Sequence, residues 1–401
     1  MSDASTPEPA PSRAIGLIVF AVTLLAVFAA VEWISRSLIP RGHFVWPPGF
    51  EITFDAGEVI AHGVEFPATL SINDIGMRGD LPTDTNRYRV LAVGGSTTIC
   101  VYLDDAVTWP FLLQKRLRDA LGPDAAWVGN AGRPGHKTDH HILQVEALLD
   151  EHPGIDRVVL LLGFNDFVPY LTTLTHPQWS IQPSDRDLKV MAFSLFPGWD
   201  ADTPWYRRNF IGRALSRLDW TPLPGTEEMR PMDEKGVFQS RLRGYRQRAG
   251  RFVDTLPELT GGLSAYVANV KRIVAIADAR GAEVLLLTQP TLWRDDLQPD
   301  ERSLLWGGGP PFFALSDGAD YYSASALAEG MALYNEALLR LCADDRARCL
   351  DVAAAIPRTT DFFFDDAHFT EKGSAAMATL IADHLLAHRR PDDTGDTPES
   401  H

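Results

Sequence analysis

Short apolar runs alternate with longer segments of helical periodicity from residue 87 onward. The short runs, rich in aliphatic and β-branched residues, predict strands over residues 87–93, 125–130, 157–162, 282–288 and 349–352. Apolar residues recur at helical spacing over residues 109–121, 138–149, 263–280, 324–341 and 371–387. Strands that are apolar throughout, such as 157–162, are typical of a sheet covered on both faces. The alternation therefore predicts an α/β fold, a three-layer α/β/α sandwich around a mainly parallel, five-stranded sheet.

A different pattern marks the N-terminal part, where residues 14–31 are apolar except for Thr23 and include no proline or charge. As a helix this run would be about 27 Å long, close to the thickness of a bilayer core. A buried core helix would show a polar face, which is missing here. A cleaved signal peptide is the alternative, although one Arg13 among acidic residues makes a poor n-region. The run predicts an uncleaved transmembrane anchor over residues 14–38, preceded by a tail over 1–13.

Two long stretches interrupt the alternation, at residues 167–262 and 291–322. Both are rich in aromatic residues, and both begin at the carboxyl ends of predicted strands, where open α/β sheets bind ligands. We expect them to form caps over a site, with a structural elaboration away from the site as the alternative. The remaining boundaries are a juxtamembrane lead-in over 39–86, a main domain over 87–390 and a polar, disordered tail over 391–401.

Charge and cysteine content exclude two classes of partner. The chain has 37 basic against 53 acidic residues and a formal net charge of -16, so nucleic acid would be repelled. Its three cysteines have no CxxC spacing, which argues against a zinc site. Cys342 and Cys349 fall at a helix end and a strand start, where they either form a disulfide in an oxidising compartment or pack as a reduced pair. Cys100 is expected to pack behind the turn at Ser96.

Four short segments carry candidate chemistry, and each follows a predicted strand. Two glycines before Ser96 allow a sharp turn that exposes its hydroxyl group. Gly135 in the second segment and Asn165 in the third can bring a backbone and a side-chain N–H to the same sheet edge. In the fourth segment, Asp365 stands three residues before His368. That spacing lets the carboxylate accept the imidazole Nδ1–H, which leaves Nε2 to take a proton from a serine.

Together the segments GGST, NAGRPG, GFND and DDAH resemble the four blocks of the SGNH, or GDSL-like, esterase and lipase superfamily. The resemblance covers roughly residues 87–388. It implies a flavodoxin-like sheet and a serine esterase that needs no metal or other cofactor. By the same resemblance, Ser96 is the nucleophile, and Asp365 and His368 complete the catalytic triad.

The resemblance also implies an oxyanion hole made by the backbone N–H groups of Ser96 and Gly135 and the side-chain amide of Asn165. One departure is that Gly95 stands where many members have an aspartate, which is not a triad residue. Residues 71–80 (SINDIGMRGD) resemble the lead-in of membrane-tethered members. We therefore expect a membrane-tethered hydrolase of this type.

The expected substrate is an acyl ester, an O-acetyl group on a cell-envelope or extracellular glycan, with a lipid or a small ester as the alternative. The main domain is accordingly expected to be periplasmic or extracellular. An O-acyltransferase would use the same triad, but the Asp-x-His motif that some such enzymes place before the serine is absent ahead of Ser96. Outside enzymes, the alternative is a glycan-binding envelope protein, against which the complete set of motif residues argues. The sequence indicates no protein partner.

Overall fold

The computed structural model describes residues 13–38, 42–55, 62–179, 184–194, 237–344 and 348–389. The predicted N-terminal tail before Arg13, the predicted C-terminal tail and much of the first insertion lie outside these residues. The chain divides into two compact units, residues 1–42 with 197–222 and residues 43–196 with 223–401.

The first unit contains helix α1 (Arg13–Leu38). The large apolar side chains described on this helix, among them Leu17, Phe20 and Leu25, are exposed. Over the described part of the chain, no helix is both long and apolar enough to cross a membrane. The structure therefore does not confirm the predicted anchor.

The second unit contains the strands and the remaining helices. The described strands are β1 (Glu51–Phe54), β2 (Ala68–Ser71), β3 (Tyr88–Gly94), β4 (Ala126–Asn130), β5 (Arg157–Leu161), β6 (Arg251–Val253), β7 (Glu283–Leu287), β8 (Asp320–Tyr322) and β9 (Arg348–Leu350). The described helices are α2 (Ser96–Ile99), α3 (Trp109–Leu121), α4 (Thr138–Glu151), α5 (Phe164–Thr175), α6 (Asp185–Ala192), α7 (Val237–Gln247), α8 (Thr260–Asp278), α9 (Pro299–Ser303), α10 (Ala324–Asp344), α11 (Val352–Ala355) and α12 (Glu371–Ala387).

The main sheet has the strand order β4-β3-β5-β7-β9, and its neighbouring strands are parallel. Crossovers between parallel strands are right-handed, so a reversal of direction along the sheet moves the connecting helix to the other face. The step from β3 to β4 runs opposite to the later steps, which puts α3 on one face and α4, α8 and α10 on the other. Accordingly α3 contacts α12, and α8 contacts both α4 and α10. The predicted α/β/α layering and five-stranded sheet are confirmed.

The predicted strands and helices agree with the observed ones to within a few residues, with one instructive difference. Val352, predicted to end the last strand, instead begins α11. The reason is Asp351, whose side chain accepts a hydrogen bond from the backbone N–H of Ala354 and so caps a short helix. The disulfide alternative is confirmed, because Cys342 and Cys349 are bonded across the connection between α10 and β9. Cys100 is buried, as expected.

The lead-in supports the turn that follows β3. Arg78 is buried, and its guanidinium donates to the carbonyl oxygens of Ile99 and Cys100 at 2.6 and 2.8 Å. These carbonyls end the short helix α2, where backbone oxygens lack partners within the helix. Arg78 also pairs with Asp105 at 2.6 Å. This part of the chain therefore packs beside the sheet, and Arg78 binds the C-terminal end of the helix that begins at Ser96.

Candidate active site

The sharp turn after β3 depends on close backbone packing. At Gly94 a Cβ atom would lie only 2.7 Å from the carbonyl oxygen of Leu161 on the neighbouring strand. At Gly95 a Cβ atom would overlap the amide nitrogen of Asn165, which follows β5. The two glycines thus let β3 run directly into α2, with Ser96 as its first residue.

Ser96 follows β3, and Asn165 follows the neighbouring strand β5. The helices that connect these strands to the next strand of the sheet lie on opposite faces, α3 after β3 and α8 after β5. In open α/β sheets this reversal opens a crevice at the carboxyl edge, where ligands bind. The topology therefore places both side chains at the favoured binding position of the sheet.

Ser96, His368 and Asp365 form a continuous chain of hydrogen bonds. The Oγ of Ser96 lies 2.7 Å from Nε2 of His368, and Nδ1 of the same ring lies 2.8 Å from Oδ2 of Asp365. Oδ1 of Asp365 also accepts the backbone N–H groups of Ala367 and His368, at 3.0 and 2.9 Å. An ionised carboxylate only accepts, so Nδ1 carries the ring proton and Nε2 faces the serine hydroxyl.

The electrostatics of the pair favour a charged carboxylate beside a basic imidazole. Burial alone would raise the pKa of Asp365, but the imidazole of His368 and the guanidinium of Arg243 hold that pKa well below its usual range. Burial alone would lower the pKa of His368, but the carboxylate of Asp365 raises it above its ordinary value. An imidazolium formed by taking the serine proton is therefore stabilised by its partner.

A narrow cleft lies beside Ser96. Asn165 lines this cleft, and its Nδ2 donates to the carbonyl oxygen of His136 at 2.8 Å. Gly135, directly before His136, is exposed at a turn with φ +75°. The structure thus brings Ser96 and Asn165 to one cleft, while the role predicted for Gly135 stays a prediction.

A model of the GDSL-like lipase/acylhydrolase family matches residues 92–376. The chain belongs to this family. It is a serine hydrolase that acts on ester bonds. No curated protein sequence matches the chain.

Solved structures similar to this GDSL-like hydrolase share little sequence with it. A carbohydrate acetylesterase family member from Sinorhizobium meliloti is 15% identical, covers 75% of this chain and 98% of its own, and has a TM-score of 0.39. An acetylxylan esterase from Geobacillus stearothermophilus is 13% identical, with coverages of 77% and 95% and a TM-score of 0.37. A lipase/acylhydrolase from Enterococcus faecalis is 14% identical, with coverages of 76% and 98% and a TM-score of 0.38.

Sequence reasoning missed the side chains that hold Asp365 from outside the triad. Oδ2 of this residue accepts hydrogen bonds from Nε2 of Gln239 at 2.7 Å and from Nε1 of Trp306 at 3.0 Å. Gln239 lies in the first predicted insertion and Trp306 in the second. Parts of both insertions therefore contact Asp365 of this GDSL-like hydrolase, although much of the first lies outside the described residues. The aromatic content of the second insertion pointed toward Trp306, whereas no sequence pattern pointed to Gln239.

The neighbouring carboxylate, Asp366, is also completely buried. It accepts from Nε1 of Trp293 and from the backbone N–H of Trp306, each at 2.7 Å. Burial and the charge of Asp365 raise the pKa of Asp366. Through these hydrogen bonds, Asp366 connects the second insertion to the loop that carries Asp365 and His368.

Three buried histidines lie behind the cleft. The side-chain amide nitrogen of Gln144 donates to Nδ1 of His136 at 3.0 Å and to the carbonyl oxygen of Ala192 at 3.1 Å. The side-chain oxygen of Gln144 therefore faces Nδ1 of His141, at 2.8 Å. Burial lowers the pKa of His140 to about 3 and that of His141 to about 4, and it lowers the pKa of His136 as well. These rings therefore stay neutral near pH 7. Among the described residues, no cluster of His, Cys, Asp or Glu could hold a metal ion.

Proposed function

We propose that this GDSL-like hydrolase cleaves short acyl esters, with Ser96 as nucleophile, His368 as general base and Asp365 as the residue that orients the imidazole. The observation that carries the proposal is the unbroken chain of hydrogen bonds, 2.7 Å from Ser96 to His368 and 2.8 Å from His368 to Asp365. A serine is a weak nucleophile until a neighbouring base accepts its proton. This arrangement provides that base in the required tautomer.

The proposed reaction has two halves. His368 Nε2 takes the proton of Ser96 as Oγ attacks the ester carbonyl carbon, and Asp365 stabilises the resulting imidazolium. The oxyanion is held by the backbone N–H groups of Ser96 and Gly135 and by the amide of Asn165. The imidazolium then gives its proton to the leaving alkoxide, which departs as the alcohol. Water, deprotonated by His368, attacks the acyl carbon, the bond to Ser96 Oγ breaks, and the imidazolium returns its proton to Oγ as the acid is released.

A short acyl group is supported by the lining of the cleft beside Ser96. Besides the apolar residues Leu161, Leu162 and Phe164, this narrow space is bordered by the polar residues His136, His141, Asp166 and Gln289. A long alkyl chain there would take water from polar side chains without offering them hydrogen bonds, which is unfavourable. An acetyl group is small enough to leave these partners in place. We therefore propose acetyl esters as the preferred class.

An O-acetylated glycan as the natural substrate is a further part of the proposal. It is supported by aromatic side chains next to the triad. The ring of Trp306 lies 6.4 Å from that of His368, and the ring of the exposed Phe312 lies 6.3 Å from Trp306. Aromatic rings with one open face suit the apolar faces of sugars. The alcohol side of the ester would then leave the site along this aromatic surface.

A periplasmic or extracellular location with an N-terminal anchor is proposed separately. It is supported by the uncharged apolar run of the sequence and by the disulfide between Cys342 and Cys349, a bond that persists in oxidising compartments. Cell fractionation of the full chain and of a chain lacking residues 1–40 tests it. Recovery of the full chain in the soluble fraction would contradict the anchor and leave the esterase proposal untouched.

The esterase proposal is tested with p-nitrophenyl esters of increasing chain length and with a fluorophosphonate probe read by intact mass. We expect stoichiometric labelling and fast acetyl ester cleavage by the native protein, a steep fall from butyrate to octanoate, and loss of both signals in Ser96→Ala and His368→Ala. Retained turnover in Ser96→Ala would refute the nucleophile. Acyl transfer to an added sugar, in preference to water, would instead favour the transferase.

A further inference from the structure

Helix α7 carries a polar face that is directed at the loop of Asp365 and His368. Gln239, Arg243 and Arg246 are spaced by four and three residues, so they lie on one side of the helix. All three are buried. Polar side chains of this length are rarely buried without specific partners. The face therefore has a structural or functional task at this loop.

The three side chains fix the loop and its surroundings at separate points. Gln239 donates to the carboxylate of Asp365 at 2.7 Å. Arg243 donates to the carbonyl oxygen of Phe364, directly before Asp365, at 2.8 Å. Arg246 donates to the carbonyl oxygens of Gly307 and Tyr322, at 2.5 and 2.9 Å. Gln239 thus donates to the Asp365 carboxylate itself, while Arg243 acts on that carboxylate through its charge.

The carboxylate of Asp365 has donors all around it. Oδ2 faces Nδ1 of His368 at 2.8 Å, Nε2 of Gln239 at 2.7 Å and Nε1 of Trp306 at 3.0 Å. Oδ1 accepts the backbone N–H groups of Ala367 and His368. A carboxylate held on both oxygens cannot rotate about its last bond, and each donor draws negative charge away from the histidine. Gln239 therefore acts on the position and on the charge of the group that His368 faces.

We propose that Gln239 is a positioning residue of the triad, assisted by Trp306, which fixes the rotation of the Asp365 carboxylate and keeps His368 from becoming too basic. The inference rests on the proposed function, because it assigns Gln239 a task in that mechanism. When Gln239 is absent, one donor to Oδ2 is lost and more negative charge faces the imidazole. That charge stabilises the imidazolium, so His368 stays protonated to higher pH. A protonated His368 cannot accept the proton of Ser96.

The test replaces Gln239 with methionine, which has a similar length but no N–H donor. We expect Gln239→Met to lower kcat by roughly tenfold, as for the loss of one hydrogen bond to a charged group, and to leave KM within about twofold. The acid limb of the kcat/KM profile should move to higher pH by about half a unit, and the NMR titration of His368 should move with it. Trp306→Phe removes the other side-chain donor, and the same direction of shift is expected.

The matched control is Gln247→Met. Gln247 is on the same helix but is exposed, and it donates to the carbonyl oxygen of Ser303 at 3.0 Å. This variant should keep both kcat and the native pH profile. A Gln239→Met protein that loses activity with an unshifted acid limb and an unshifted His368 titration would overturn the inference, since a general structural defect would do the same. If Gln239→Met does not fold, Trp306→Phe decides by the same two readouts.

Failure of the underlying function gives a different result. If the native protein is not labelled by the fluorophosphonate, or if Ser96→Ala keeps its turnover, the proposed triad is wrong and the inference falls with it. If both of those controls behave as expected while Gln239→Met and Trp306→Phe keep the native profile, only the inference is refuted. A shifted profile in these variants, with labelling of Ser96 retained, supports both.

Discussion

Replacing Gly95 with alanine tests how the site holds Asn165. The φ of Gly95 is -86°, outside the left-handed region that favours glycine. An added Cβ would overlap Nδ2 of Asn165, the nearest atom outside the turn. The asparagine must then rotate away, which breaks its 2.8 Å hydrogen bond to the carbonyl oxygen of His136. One methyl group thus displaces a proposed oxyanion donor and leaves the triad in place.

The expected loss follows from the value of one oxyanion donor. Removing such a donor typically lowers kcat by about 10² to 10³, or roughly 3 to 4 kcal/mol of transition-state stabilisation. We expect Gly95→Ala to lower kcat for p-nitrophenyl acetate by about 10², with little change in KM. Asn165→Ala should lose at least as much. In the double variant the second substitution should add almost nothing, because the donor is already absent.

The assay is this double-mutant cycle, with fluorophosphonate labelling and thermal unfolding as checks of Ser96 and of the fold. Gly244→Ala is the control, since its Cβ would meet only the flexible end of Arg248, 3.0 Å away. Native activity in Gly95→Ala would refute the packing argument. A loss that is equally large in the Asn165→Ala background would show that Gly95 acts through another group.

Three further predictions concern stability. Arg78→Met should lower the free energy of unfolding by roughly 3 to 5 kcal/mol, because it leaves Asp105 and several carbonyl oxygens without their buried partner. Urea titration measures this change, and an unchanged midpoint would contradict the support proposed for α2. Reducing the bond between Cys342 and Cys349, seven residues apart, should cost about 2 kcal/mol, measured by unfolding with and without dithiothreitol. Burial lowers the pKa of His140 to about 3 from its ordinary value of 6.5. Between these two pH values the unfolded chain binds a proton that the folded chain does not, so the free energy of unfolding is highest above pH 6.5 and falls as pH falls toward 3. His140→Phe should therefore reduce the pH dependence of the unfolding free energy in that window by about 1.4 kcal/mol per pH unit; an equal slope in both proteins would show that His140 titrates normally.

Much of the fold followed from periodicity because the central strands are apolar on both sides and their helices have a clear buried face. Strands such as β5 are buried at every position. The edge strand was harder, since β9 pairs with β7 alone and is short. Its end is set by the capping side chain of Asp351 and not by hydrophobicity. Local polar contacts of this kind are invisible to a pattern of apolar residues.

The proximity of Ser96 and Asn165 was predictable because parallel strands bring their carboxyl ends to the same edge. Ser96 and Asn165 follow adjacent strands, and the Asp365 to His368 spacing is local. Gln239 and Arg78 were not predictable in the same way. Gln239 is 126 residues from Asp365 in a region without strand periodicity, and Arg78 lies in the lead-in. Their partners are set by tertiary packing, which spacing along the chain does not reveal.

The two adjacent aspartates join the second insertion to the catalytic loop. Trp306 donates its backbone N–H to Asp366 at 2.7 Å and its indole N–H to Asp365 at 3.0 Å. A shift of this tryptophan would therefore remove a donor from each carboxylate at once, and both carboxylates are fully buried. A hydrogen bond to a buried charged group contributes about 1.5 to 3 kcal/mol. Shortening the 291–322 insertion should consequently disturb Asp365 and Asp366, so this insertion supports the proposed triad from outside the cleft.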